Sequence, residues 1–321
     1  MSRYARQMML PQVGGEGQAR LAAARALVVG AGGLAASALP LLAGAGVGQI
    51  DIFDGDVIEL SNLHRQTLFT EADVGRAKAE VAAERCRALN SGIVLAGTKR
   101  SITPENVVQN SQNADLVLDC ADSYAVSYLL SDTCLALGKP LISASVLGLG
   151  GYAGGFCGGA PSLRAVFPEA PDSAASCATA GVLGPVVSIL GSIQAQMALS
   201  ALLGLAPSPL GQMVQVDAQT WRNSTFRFDA APEPVTAFCF VAPSDLTADD
   251  LIFELRSEAE APHPAHPSAR RMTIPEIEIS DTNRGKRLAL CCATGLRAWR
   301  AAEQLQPDWP GEIVLVAAAT S

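Results

Sequence analysis

Charge is scarce in this chain. Only 17% of its 321 residues are charged while 49% are hydrophobic, and the balance is acidic, at −8. The hydrophobic share excludes disorder, and the sign argues against a nucleic-acid partner, whose phosphates select lysine and arginine. The N-terminus, MSRYARQMMLPQVGG, has no apolar core of the kind a secretion signal needs, so a cytoplasmic protein is expected. No two of the eight cysteines stand in a CxxC pair, which removes the usual mark of a zinc clip and leaves them as thiols. Residues 173–216 carry no charge and are long enough to cross a bilayer. Gly181, Gly184, Pro185, Gly191 and Gly204 interrupt the stretch, and Gln194 and Gln196 fall inside it, so a buried helix is expected and no membrane partner.

What is present is organised around residues 25–56. Ala26 to Val29 is a short apolar run that ends in Gly30-Ala31-Gly32-Gly33-Leu34-Ala35, the order of strand, glycine turn and helix. Glycines let backbone approach a polyphosphate, and the helix start offers free N–H groups and its positive dipole end. A second strand, Gln49 to Phe53, delivers Asp54 where an acid would hold a ribose hydroxyl. The alternative is a turn kept for tight packing. Further strands at 93–98, 116–120, 140–143, 213–217 and 225–228 alternate with helices at 18–25, 73–88, 124–137 and 182–203. That alternation predicts an α/β fold with a doubly wound, mainly parallel sheet. Gly14, Gly15 and Gly17 read as a loop, and Pro40 predicts a kink. The proline-rich run Ala230 to Pro234 divides the chain into domains of residues 1–234 and 235–321.

Several ordered motifs accompany the glycine turn: Arg3-Tyr4-Ala5-Arg6-Gln7, Asp54-Gly55-Asp56, Ser61-Asn62-Leu63-His64-Arg65-Gln66, Lys78, Asp119-Cys120-Ala121-Asp122 and Cys177-Ala178-Thr179-Ala180-Gly181-Val182. Through them residues 3 to 228 resemble the MoeB/ThiF/HesA group, related to ubiquitin-activating enzymes. The resemblance implies an adenylyltransferase that uses ATP and Mg2+ to activate the C-terminal glycine of a small ubiquitin-like sulfur carrier of MoaD or ThiS type ending in Gly-Gly. Molybdopterin, thiamine or related sulfur-transfer biosynthesis is the implied setting. By the same resemblance Arg65 and Lys78 contact phosphate, and Asp122 is the acid that holds magnesium or nucleotide. Asn62 and Gln66 would orient phosphates and Asp54 the ribose, with Gly30, Gly32, Gly33, Asp56, Ser61, Leu63, His64 and Ser123 completing the nucleotide site. Arg6 corresponds to an arginine reaching the triphosphate from a partner subunit, which implies a homodimer. Taken singly, Arg65 and Lys78 also suit a solvated surface, and Asp122 a helix cap before Tyr124. A non-catalytic scaffold that binds nucleotide or carrier is the alternative function. An NAD-dependent oxidoreductase explains the glycine turn but gives no reason for residues 61–66 or Lys78.

The chain also departs from that pattern. Ala35 stands for the usual last glycine, His64 for a common glutamine and Ser123 for the asparagine that often follows the acid. Where relatives carry one CxxC pair this chain has Ser162 and Ala165, and no second pair follows Phe228, so zinc is expected to be absent. Cys177 matches a loop cysteine that in some members forms a thioester or persulfide with the carrier; burial as a small hydrophobe is the alternative. Past residue 235, the run Cys292-Ala293-Thr294-Gly295-Leu296-Arg297 resembles the active loop of a rhodanese. The upstream aspartate-arginine motif is not evident and the segment is short, so a structural remnant without sulfurtransferase activity is expected.

Overall fold

A computed structural model describes residues 3–169, 181–274, 277 and 285–318 of the chain. Two compact units divide it, with the main boundary between Glu233 and Pro234. The first unit opens with α1 (Ala5–Met8), α2 (Gly14–Ala23), β1 (Arg25–Val29), α3 (Gly33–Ala45) and β2 (Gln49–Phe53). Then come α4 (Lys78–Leu89), β3 (Val94–Thr98), α5 (Val107–Ser111), β4 (Leu116–Asp119), α6 (Tyr124–Leu137) and β5 (Pro140–Leu147). It closes with β6 (Gly150–Cys157), α7 (Leu163–Val166), α8 (Gly184–Leu203), β7 (Gln212–Asp217) and β8 (Arg222–Arg227).

The strands form one sheet in the order β3-β2-β1-β4-β5-β6-β7-β8. Pairing is parallel from β3 to β5 and antiparallel from β5 to β8. This is the doubly wound, mainly parallel sheet expected from the sequence. Its centre is β1 and β4, whose apolar residues are buried without alternation because helices cover both faces. Strand order reverses between these two, which opens a crevice at their C-terminal ends. Helix α8, the membrane-length stretch, packs along α3 and buries Val186, Val187, Leu190, Ala195, Met197 and Ala198 in the core.

Two local expectations change. Helix α2 begins at Gly14 and takes in the glycines read as a loop, since a Cβ on Gly17 would press to 3.0 Å from Leu203 Cδ2. The helix expected at 73–88 starts only at Lys78: Asp73 ends a 3-10 turn, Gly75 has φ +87°, and Val57 bridges Ala77. Pro40 lies inside helix α3.

The second unit is a five-stranded parallel sheet of β9 (Cys239–Phe240), β10 (Leu251–Glu254), β11 (Arg270–Arg271), β12 (Leu288–Cys292) and β13 (Ile313–Ala317), in the order β11-β10-β12-β13-β9. Helix α9 (Leu296–Leu305) follows β12 and buries Trp299, whose ring centroid lies 6.0 Å from that of Phe238.

Where a zinc clip was judged missing, the first unit carries a carboxylate clasp. Ser162, 1% exposed, donates its backbone N–H at 2.7 Å and its Oγ–H at 2.6 Å to the two oxygens of Glu233. Removing the carboxylate strands a buried donor, which costs about 1–3 kcal/mol. Glu233→Ala is therefore expected to lower the unfolding free energy by about that amount in a denaturant titration, whereas Glu258→Ala, on the exposed surface of the second unit, is expected to change it little.

Candidate functional site

The crevice between β1 and β4 is closed by backbone. Gly30 has φ +90°, donates its N–H to the Phe53 carbonyl at 2.8 Å, and would drive a Cβ to 2.6 Å from the Cys120 carbonyl oxygen. Only glycine fits that conformation and that approach. Gly32 is the N-cap of α3, so the helix start faces the crevice, and a Cβ on Gly33 would meet Val187 at 2.6 Å. Asp54 ties the turn from the side, accepting the Ala31 N–H at 2.7 Å through Oδ2 and the Asp56 N–H at 2.7 Å through Oδ1. Burial raises its pKa, and the two N–H bonds work against that rise.

Residues 61–66 fold over the mouth of the turn. The Arg65 side chain passes 3.6 Å from where a Cβ on Gly33 would lie, and Gln66 Nε2 stands 3.7 Å from the equivalent point on Gly32. Arg65 Nη1 donates to the Ser61 carbonyl at 3.1 Å and lies 2.8 Å from His64 Nε2. Gln66 is buried, and its Oε1 has no partner among the described residues. An orphaned acceptor beside a glycine turn costs free energy unless a ligand or water completes it, so it marks space for a donor. Asn62 is buried and serves locally, receiving the Glu59 N–H at 3.3 Å and donating to Ser61 Oγ at 3.3 Å. Ser61 Oγ bonds Glu59 at 3.0 Å, and Leu63 packs on the core.

Lys78, at the start of α4, is held at the same end of the sheet. Its side chain is 9% exposed and Nζ sits 2.8 Å from Asp56 Oδ2, a carboxylate that is itself 72% exposed. An ammonium carries three donors, so Lys78 retains two beyond that bond. Asp122 stands exposed just past β4, and it does not cap α6, because the N-cap is Ser123 without a side-chain bond. The helix-cap alternative for Asp122 is therefore set aside. No group of three His, Cys, Asp or Glu that could hold a metal is found among the described residues. Magnesium needs none, since one or two carboxylates plus substrate phosphates and water complete its octahedron.

The structure does not bring Arg6 to this crevice. Gln7 donates to the Ala45 carbonyl at 2.8 Å, Tyr4 receives Asn90 Nδ2 at 2.8 Å, and Arg3 bonds the Leu89 carbonyl at 2.6 Å. These pin α1 at the far end of α3, about 18 Å along its axis from the glycine turn, and leave Arg6 exposed. Cys177 lies outside the described residues.

Sequence reasoning assigned no role to Asp119, Ser143 or Gln194. Asp119 is fully buried beneath the crevice, with Ser143 Oγ donating at 2.7 Å and Ala121 N at 3.2 Å, and burial holds its carboxyl above the usual range. Its place at the C-terminal end of a central strand was the available signal.

In the second unit the rhodanese-like loop closes on Cys292, whose Sγ receives N–H groups from Gly295 at 3.1 Å and Ala298 at 3.4 Å. An acid-arginine pair that the sequence did not reveal lies at the end of the strand next to the loop, with glutamate as the acid. Glu254, fully buried at the end of β10, takes Arg256 Nε at 2.8 Å and Nη2 at 2.7 Å, and β10 pairs directly with β12.

A glycine turn at a topological switch point, a helix start facing the crevice and basic groups around it define an α/β protein of the doubly wound class, in which such crevices are ligand sites. Comparison with known proteins takes this further: residues 4–236 match the ThiF family, and the chain belongs to that family. It is 45% identical over 212 residues to the adenylyltransferase and sulfurtransferase uba4 of Aspergillus terreus, covering 62% of this chain and 44% of that protein. It is 44% identical over 219 residues to the adenylyltransferase and sulfurtransferase MOCS3 of Bos taurus, covering 67% and 48%. The chain thus spans about half the length of the curated relatives it matches. Among solved structures, E. coli MccB with ATP superposes with a TM-score of 0.63 at 22% identity over 74% of this chain and 73% of that one, a likeness of fold.

The Gly30 contact yields a direct expectation. Gly30→Ala is expected to force the turn away from Cys120 and weaken nucleotide binding by about tenfold or more in calorimetry, whereas Gly44→Ala, whose Cβ meets only Leu89 at 4.0 Å, is expected to leave affinity unchanged.

Proposed function

We propose that this chain is an ATP-dependent adenylyltransferase that activates the C-terminal glycine of a small ubiquitin-like sulfur carrier ending in Gly-Gly. The observation that carries the reading is the gathering of Arg65, Gln66 and the start of α3 at one glycine turn in a chain of the ThiF family. The carrier carboxylate attacks the α-phosphorus of ATP, the bond to the β-phosphate oxygen breaks, and pyrophosphate leaves. Negative charge grows on the non-bridging oxygens and on the leaving group. The α3 N–H groups and Arg65 lie on the phosphate side to offset it, and Lys78, steadied by Asp56, adds a second cation. Gln66 Nε2 is a donor toward the same phosphates. Asp54 is already engaged by two backbone N–H groups, so we assign it chiefly to shaping the turn, with a remaining lone pair for a ribose hydroxyl. Asp122 would hold Mg2+, which supplies charge neutralisation on the phosphates when bound.

Arg6 belongs to this reading as a residue given to a second copy. It is exposed and fixed too far from its own crevice to act there, which supports a homodimer in which each α1 serves the partner's site. Zinc has no part in the proposal: Ser162 and Ala165 offer no thiolates, and the Ser162–Glu233 clasp already ties that loop.

For the second unit the Glu254–Arg256 pair and the two N–H groups on Cys292 favour an active loop over a remnant. We assign Cys292 a sulfur-holding role, its thiolate taking the outer sulfur of a thiosulfate-like donor with loss of sulfite.

Two results are expected. Arg65→Ala and Lys78→Ala should each lower carrier-dependent pyrophosphate release by about a hundredfold or more with the fold intact by circular dichroism, and near-normal rates in both would refute the assignment. Thiosulfate-to-cyanide sulfur transfer should be measurable in the wild type and lost in Cys292→Ser, whereas its absence in the wild type would restore the remnant reading.

A further inference from the structure

Helix α8 carries one stripe that runs past the 61–66 segment, the start of α3 and the end of β4. A Cβ on Gly184 would stand 2.5 Å from the His64 carbonyl oxygen, Val187 fills the space beside Gly33, and Gly191 backs onto the Leu34 carbonyl. Gln194 reaches Asp119. These positions follow one another at spacings of three, four and three residues, the period of a single helix face.

Gln194 is the polar member of that stripe, and it is fully buried. Its Nε2 donates to the carbonyl oxygens of Asp119 at 2.7 Å and Ile142 at 3.1 Å, while its Oε1 accepts from Cys120 Sγ at 3.3 Å. The amide therefore has both ends satisfied in a dry place. Its contacts fall where β4 leaves the sheet: Leu118 pairs with Ile142 and Asp119 with Ser143, the last pair of β4 with β5, while β5 itself runs on to Leu147 against β6. Three residues past Asp119 comes Asp122. The intervening stem is held at each step, with the Asp119 carboxyl on Ser143 and Ala121 N, the Cys120 N–H on Val29 at 2.8 Å, and the Cys120 carbonyl against Gly30. A leucine or methionine would fill the volume of Gln194 but would give neither the Asp119 nor the Ile142 carbonyl a side-chain donor.

We propose that Gln194 is a positioning residue for adenylation: by tying the end of β4 to Ile142 of β5 it fixes the direction in which Asp122 leaves the sheet, and so the geometry of the magnesium-nucleotide pair. This rests on the adenylation reading of the crevice. The test uses the 321-residue chain and a non-hydrolysable ATP analogue, titrated by calorimetry with Mg2+ and with a chelator in its place. In the wild type Mg2+ should tighten binding. In Gln194→Met that tightening should shrink by about 10–100-fold, as expected when a group behind a metal ligand is lost, while metal-free affinity and the KM for the carrier stay as they were. The Mg2+ concentration for half-maximal adenylation should rise in parallel. Gln194→Glu keeps the size but not the donors and should behave no better than the methionine variant. Gln196→Met, exposed and bonded to Ser200, should match the wild type.

A purely structural role predicts something else: a lower unfolding midpoint and less active protein, with unchanged metal dependence in the fraction that folds. That result overturns the proposal, as does failure of both Gln194 variants to fold. If the wild type itself shows neither metal-dependent nucleotide binding nor carrier adenylation, the adenylation reading falls and takes this role with it. If the wild type shows both and Gln194→Met matches it, only the positioning role falls.

Discussion

The site depends on one contact between two pieces of backbone, the approach of Gly30 to the Cys120 carbonyl. Any side chain at position 30 would sit 2.6 Å from that oxygen, so the glycine turn after β1 and the loop after β4 can close on each other only through a residue without a Cβ. The Gly30 N–H reaches the end of β2 at Phe53, and the next residue, Asp54, returns its carboxylate to Ala31. Three strand ends are thereby locked into one rim. The N–H groups at the start of α3 face that rim, which is the preorganisation that the proposed adenylation would draw on.

Scarcity of charge gives the rim its character. The cations near the crevice are each held by a local partner, Lys78 by Asp56 and Arg65 by the Ser61 carbonyl, so neither is spent on long-range pairing. Both keep donors to offer. Gln66 Oε1 is a buried acceptor at the rim without a partner among the described residues. A crevice so arranged favours a ligand with clustered negative charge and at least one donor group, which a nucleoside triphosphate provides.

Much of this was legible in the sequence because it is carried by local chemistry. Gly30 to Gly33 announces the turn, the continuous apolar runs of β1 and β4 announce a sheet covered on both faces, and residues 61–66 mark the lid of the crevice. Helix α6 could be read to the residue from Tyr124 to Leu137 because an apolar period ends at a glycine. What escaped depended on partners distant in the chain. Gly14 to Gly17 looked like a loop until Leu203 was seen to pack on it, and Asp73 looked helical until Gly75 and the Val57–Ala77 bridge were in view. Gln194 read only as a polar interruption in an apolar run, since its partners Asp119 and Ile142 lie 75 and 52 residues away. The Glu254–Arg256 pair was hidden because its acid is a glutamate rather than an aspartate. Arg6 could be named but not placed, because its position relative to the crevice is set by the length of α3 rather than by anything around residue 6.

The most direct test of the central claim follows an oxygen atom. A Gly-Gly carrier whose C-terminal carboxylate is labelled with heavy oxygen is incubated with ATP, Mg2+ and the 321-residue chain, the acyl adenylate is allowed to hydrolyse at its carbonyl, and the AMP is analysed by mass spectrometry. Attack of the carboxylate on the α-phosphorus predicts that AMP carries one labelled oxygen and forms only when the carrier's terminal glycine is present. Unlabelled AMP, or ADP formed in its stead, would contradict it.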